Sequence, residues 1–196
     1  LIGLRVKTKY IMNTLLNFRL SWFLICLYCL TAAHAEDQNS ATPVSWQEFK
    51  SDDGHFSIEF PTAPKIKKNT QESVIGDVIN HVFESKTGIG IFSLDYSDIP
   101  GFAVSFTGND KIYSQATETL LKKTFGKIQS STDIKYQNHS GKHLIYDIQQ
   151  TSDKPEFDGQ TYLFLIEKRL YVINAIAPAA TSMSHIKYFL NSVRFY

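Results

Sequence analysis

Six histidines and several paired acids are the side chains here suited to acid–base or metal chemistry, and their spacing decides which chemistry is open to them. His139 and His143 stand four apart in Asn138-His139-Ser140-Gly141-Lys142-His143. On a helix that spacing puts two imidazoles over one metal ion. With Gly141 between strand-like segments it predicts a turn instead, where side chains four apart need not converge, and no carboxylate motif accompanies them. His81 and Asp95 fall in consecutive strand-like segments, so a histidine–aspartate pair across a hairpin is open to them. A nucleophile to complete it is missing: there is no Gly-x-Ser-x-Gly elbow, and both cysteines, Cys26 and Cys29, lie in an apolar N-terminal stretch. Asp52-Asp53, Asp95 with Asp98 and Glu156 with Asp158 lie in or beside turn-forming segments, where acids cap backbone groups. Gly88-Ile89-Gly90 has no helix after it, which makes it hairpin chemistry rather than a phosphate cradle. These residues predict no catalytic centre, no metal site and no bound cofactor.

Aromatic side chains, 13% of the chain, offer something different. Tyr96, Phe102 and Phe106 stand in the irregular apolar stretch "YSDIPGFAVSF" ahead of a predicted helix, long enough to line a groove. They are the candidate ligand or partner surface; the competing reading is a covered crossover between a strand and a helix.

The N-terminus dictates where such a domain would work. Arg5, Lys7, Lys9 and Arg19 precede the apolar run Leu20–Leu30, and Ala33-His34-Ala35 follows it. The run is about half of the ~20 residues that a membrane-spanning helix needs. The order of basic, apolar and small-residue segments predicts a signal peptide over 1–35, cut between Ala35 and Glu36, with an uncleaved anchor as the alternative. Met12 is a candidate start of translation. Ile25 and Tyr28 precede the cysteines, where a lipoprotein signal would place a small residue, so the expected product is soluble and periplasmic or secreted. It carries no thiol.

Of twenty Lys and Arg against nineteen Asp and Glu, four of the basic residues and none of the acids lie in that signal. The remainder is slightly acidic, which gives no electrostatic case for nucleic acid or an anionic membrane. Lys65-Ile66-Lys67-Lys68 is the one basic cluster and reads as a solvated loop.

Residues 36–45, "EDQNSATPVS", are a polar leader, and folding is expected to begin at Trp46. In "SWQEFKSDDGHFSIEFP" the period-two Phe56, Ile58 and Phe60, the Asp53-Gly54 turn and the Pro61 stop predict an edge hairpin. Further hairpins are predicted from Val78–Ser85 with Ile89–Tyr96, and from 127–136 with 141–150. In 162–166 and 170–176 both odd and even positions are apolar, so these strands should be central and covered on both faces. Helices are predicted over Asp110–Phe125, capped by Asn109 and stopped by Gly126, and over Thr181–Val193. The count of apolar faces gives an α+β domain over 46–196: a single antiparallel β-sheet flanked by helices, an α/β/α sandwich.

The succession of "DGHFSIEFPTAPK", "LDYSDIP", "NHSGKHLIYDIQ", "YLFLIEKRLYVINA" and "FLNSVRFY" resembles exported bacterial proteins of the PsbP-like group, over the whole of 46–196. That group shares the sandwich of the photosystem II extrinsic protein PsbP and of Mog-type Ran-binding proteins. The resemblance implies a non-catalytic accessory or protein-binding module, whose partner would be another envelope protein. It carries over no metal site. The alternatives from the residues themselves are a hydrolase using His81 or His143, and a small-ligand or metal carrier.

Overall fold

The computed structural model describes residues 44–71, 78–148, 157–179 and 183–196, which fall within one compact unit, Val44–Tyr196. The predicted signal peptide and all but the end of the leader lie outside the described residues, as does Glu156. Among the described residues no helix is long and apolar enough to cross a membrane.

Seven strands form one antiparallel sheet: β3 (Lys65–Gln71), β4 (Val78–Thr87), β5 (Gly90–Asp98), β6 (Gly126–Tyr136), β7 (His139–Ile148), β8 (Phe157–Ile166) and β9 (Arg169–Pro178). Their order across the sheet is β3-β4-β5-β9-β8-β7-β6. β8 and β9, which carry the stretches 162–166 and 170–176 that are apolar on both faces, lie in its middle, as that patterning requires. Turn chemistry sets the hairpins: Gln137 and Asn138, both at positive φ, make the tight β6–β7 connection. That turn is shorter than expected, because His139 and Ser140 already belong to β7. A register irregularity between Ile128 and Ser130 bends β6 at the sheet's outer edge.

The expectation of a single sheet is corrected. The opening hairpin, β1 (Gln47–Ser51) and β2 (Phe56–Phe60), forms a separate three-stranded sheet with β10 (Arg194–Phe195), in the order β1-β2-β10. Pro61 and Pro64 end the β2 ladder before the chain enters the large sheet, and the C-terminal strand takes the open side of β2. The basic cluster at Lys65–Lys68 is likewise a strand, not a loop: it pairs residue for residue with β4 and forms an exposed sheet edge.

Three helices lie among the described residues: α1 (Gly101–Thr107), α2 (Asn109–Thr124) and α3 (Met183–Ser192). The short α1 occupies what the sequence suggested was irregular chain. The cap of α2 is Gly108 rather than Asn109, and its last cap residue is Phe125, one position before the predicted stop.

The faces of the large sheet are covered differently. On one, α3 and the small sheet bury Phe56, Ile58, Phe60, Phe189 and Leu190 against Phe92, Leu94, Phe164 and Ile173. On the other, α2 lays Tyr113 and Leu120 onto Leu144, Tyr146, Ile148, Leu163 and Ile176. Because α2 lies chiefly over β6 and β7, the same face is less fully roofed above β4, β5 and β9.

Candidate functional site

Strand parity separates most of the residues singled out from the sequence. Tyr96 faces the small sheet and is 3% exposed, with His81 stacked on its ring at 4.5 Å and the Arg169 guanidinium 4.6 Å from its centroid. Phe102 and Phe106, one turn apart on α1, are 55% and 89% exposed. Of the three aromatic candidates only the two on α1 therefore reach the surface. His81 sits opposite Tyr96 in the β4–β5 register and Asp95 opposite Val82, so His81 and Asp95 project to opposite faces and cannot form the pair open to them in sequence. Burial lowers the His81 pKa.

His139 and His143 share a face of β7, but four residues along a strand separate them by roughly 13 Å. His139 packs edge-on to Phe195, and His143 bonds Gln160 Oε1 at 2.9 Å. Among the described residues no cluster of three potential metal ligands occurs.

The incompletely roofed face holds a cavity of about 370 Å³ that none of those residues lines. It is built by register. Glu84 on β4 is opposite Ser93 on β5, Ser93 is opposite Asn174 on β9, and Asn174 is opposite Thr161 on β8. These pairings lay a polar row across the sheet between apolar neighbours such as Ile91, Ile176 and Leu163. Asn174 is anchored in it: its Oδ1 accepts from the Tyr146 hydroxyl at 2.5 Å and from Thr161 Oγ1 at 2.8 Å. Both hydroxyls being spent on the oxygen, the NH2 is the donor end of the side chain. Burial pushes the Tyr146 hydroxyl up to about 12, so it stays a donor at any physiological pH.

Glu84, Ser93 and Asn174 form the polar part of the cavity lining. Ile91, Ile176, Ile148 and Phe157 form its apolar wall, and Lys123, Thr124 and Phe125 from the end of α2 form its rim. Glu84 is already neutralised, by Lys67 at 3.2 Å and Lys86 at 3.5 Å.

Two residues along β5 from Ser93, and so on the same face, Asp95 has a sealed Oδ1 with no hydrogen-bond partner among the described residues. Burial pushes its carboxyl up to about 7, against the opposing pull of the Lys123 charge and a hydrogen bond from Asn80. A carboxyl so placed is about half protonated at neutral pH and mostly protonated about one unit below it.

Sequence reasoning passed over this row because each member is unremarkable alone. Asn174 carried the available signal: an amide inside a run apolar on both faces must find partners there. Its neighbours could be identified only from strand order, which pairs Ser93 on β5 with Asn174 on β9 across 81 residues of sequence.

No family model and no curated protein sequence matches the chain. Among solved structures it is similar to cyanobacterial PsbP (CyanoP) from Synechocystis, at 13% identity and a TM-score of 0.56, covering 78% of this chain and 94% of that one. A protein from Bacteroides thetaiotaomicron aligns at 12% identity and a TM-score of 0.43, covering 76% of this chain and 48% of that one. The first likeness shows a PsbP-like fold; at such identities it carries nothing about the site.

Proposed function

We propose that this domain is a non-catalytic binding module of the bacterial cell envelope, exported by its first 35 residues, with a small-molecule seat in the cavity beside the end of α2. The observation that carries this reading is the Glu84–Ser93–Asn174 row under an isoleucine-lined wall. A few oriented polar groups in a mostly apolar concavity are the ordinary make-up of a ligand site. Chemistry on a bound molecule would need more. Ser93 has no imidazole beside it, since His81 and His143 both lie on the opposite sheet face, and a serine without a base is a poor nucleophile. The resemblance to exported accessory proteins supports the same reading, as does the order of basic, apolar and small residues at the N-terminus.

Isoleucine-methyl NMR tests it. A fragment library titrated into the protein should shift Ile91, Ile148 and Ile176 while leaving Ile58, Ile173 and Ile186 on the other face unmoved, with no fragment turned over. A library that leaves the three cavity methyls still, or a fragment that is converted, sinks the proposal. Export is checked separately, by a mass for the envelope form beginning at Glu36.

A second reading rests on Phe102 and Phe106, whose exposure on one side of α1 suits a protein partner. Replacing both with Ser should abolish crosslinks to envelope proteins if they dock one; unchanged crosslinks would dispose of that role.

A further inference from the structure

Phe125 is placed at a double disadvantage. Its backbone is left-handed, φ 54° and ψ 33°, and its ring is 82% exposed. The other non-glycine residues at positive φ, His55, Gln137, Asn138 and Glu167, sit in hairpin turns that demand it. A helix end makes no such demand for a bulky residue: glycine is its ordinary occupant. Glycine does stand next door, at Gly126, where an added Cβ would meet the Tyr146 ring at 2.7 Å. Close packing thus places the glycine at 126 and leaves an aromatic residue in the strained position. Backbone strain and side-chain exposure together on one residue, at the rim of a cavity, point to a role outside stability.

The charges at the rim are unequal too. Glu84 is held by two lysines, whereas Lys123 has no ion-pair partner among the described residues. Asp95, a further acid on this face, does not line the cavity, and burial pushes its carboxyl up to about 7. The cavity therefore offers a net positive rim, hydrogen-bonding groups from Ser93 and Asn174, and two aromatic rings, Phe125 and Phe157, beside branched aliphatic wall.

Resting on the reading of the cavity as the ligand seat, we propose that it takes a small aromatic carboxylate, whose ring is gripped by Phe125 and Phe157 and whose anion meets Lys123. Its volume, near the lower end of ligand cavities, suits one ring with a short acidic arm. Phe125 is the specificity residue: its aromatic face is what a left-handed glycine could not supply.

The test is calorimetric and NMR titration of the purified protein with 3-phenylpropionate, 3-phenylpropionamide and propionate. The aromatic acid should bind and shift Ile91, Ile148 and Ile176, with the amide about tenfold weaker and propionate undetected. Phe125→Gly should weaken binding of the acid about tenfold while raising the melting temperature, because the strain is relieved. Lys123→Gln should bring the acid and the amide to equal affinity. Unchanged binding by Phe125→Gly, a fall in its melting temperature, or equal affinity of acid and amide for the unaltered protein would each overturn the proposal. If aliphatic or cationic fragments shift the cavity methyls and the aromatic acid does not, this inference falls and the cavity reading stands. If no compound shifts them, both fall.

Discussion

Asp95 holds an uncommon position for an acid, in mid-strand, flanked in register by Val82 and Val172. Its carboxyl is raised to about 7 by burial, whereas in the unfolded chain it titrates at the ordinary aspartate value. The folded state therefore binds the proton more tightly. Stability contributed in this way is fully present below the unfolded value and is lost as pH rises towards the folded one, by about 1.4 kcal/mol per unit. Asp95→Asn, which cannot ionise, should thus melt higher than the unaltered protein at pH 8, with the difference closing near pH 4. Thermal melts across that range decide it, and a pH-independent difference would contradict the burial account. Of the residues that matter on this face, the sequence made Asp95 visible but assigned it to His81. Parity along β4 and β5 undoes the pairing, and parity is invisible until the hairpin register is fixed.

At the scale of elements, close approach dominates. Gly141 on β7 lies where an added Cβ would sit 2.2 Å from the Leu163 carbonyl oxygen and 2.5 Å from the Phe164 ring, so backbone and an entirely buried side chain would both have to move. Gly141→Ala should cost about 2 kcal/mol, within the range for overpacked cores, read as a lower urea midpoint at unchanged slope. A neutral result would mean that β7 and β8 can part locally. Elements with strong period-two patterns, β2, β4, β5 and β7, were legible to within a few residues, since alternation is a local property. β3 was not: Lys65, Lys67 and Lys68 disguise a strand whose partner β4 supplies the ladder. α1 was missed because its seven residues, Gly101–Thr107, are too few to show a helical period. The end of α2 was misplaced by one residue because tertiary packing around Tyr146, not local preference, settles where glycine must go.

The molecule as a whole is held together at the junction of its two sheets. Arg169 gives a two-pronged hydrogen bond to Asp98, at 2.7 and 2.9 Å, and reaches the Asp53 carbonyl oxygen at 2.6 Å. Tyr171 donates to the Gly54 carbonyl oxygen at 2.8 Å, and Phe195 packs on the Tyr171 ring at 4.8 Å. The turn of the opening hairpin is thereby tied to the start of β9 in the large sheet. Arg169→Ala should lower stability by about 1–2 kcal/mol through loss of charge-assisted bonds and of the contact with Tyr96. Hydrogen exchange should quicken most in Gln47–Phe60, and uniform quickening across both sheets would argue against a local clasp. That the hairpin leaves the main sheet was not legible, because β10 is two residues long and its pairing with β2 depends on the completed fold.

The boundaries of the seven-stranded sheet have a further consequence. Among the described residues its two outer strands have no further strand beside them, yet β3 lines one boundary with Lys65, Lys67 and Lys68, and the irregularity at Ile128–Ser130 breaks the even hydrogen-bonding rhythm of β6 at the other. An incoming chain would have to bury ammonium groups on one side and skip a residue on the other. A fold this rich in strands thus carries built-in resistance to self-templated aggregation, the hazard to which open sheets are otherwise exposed.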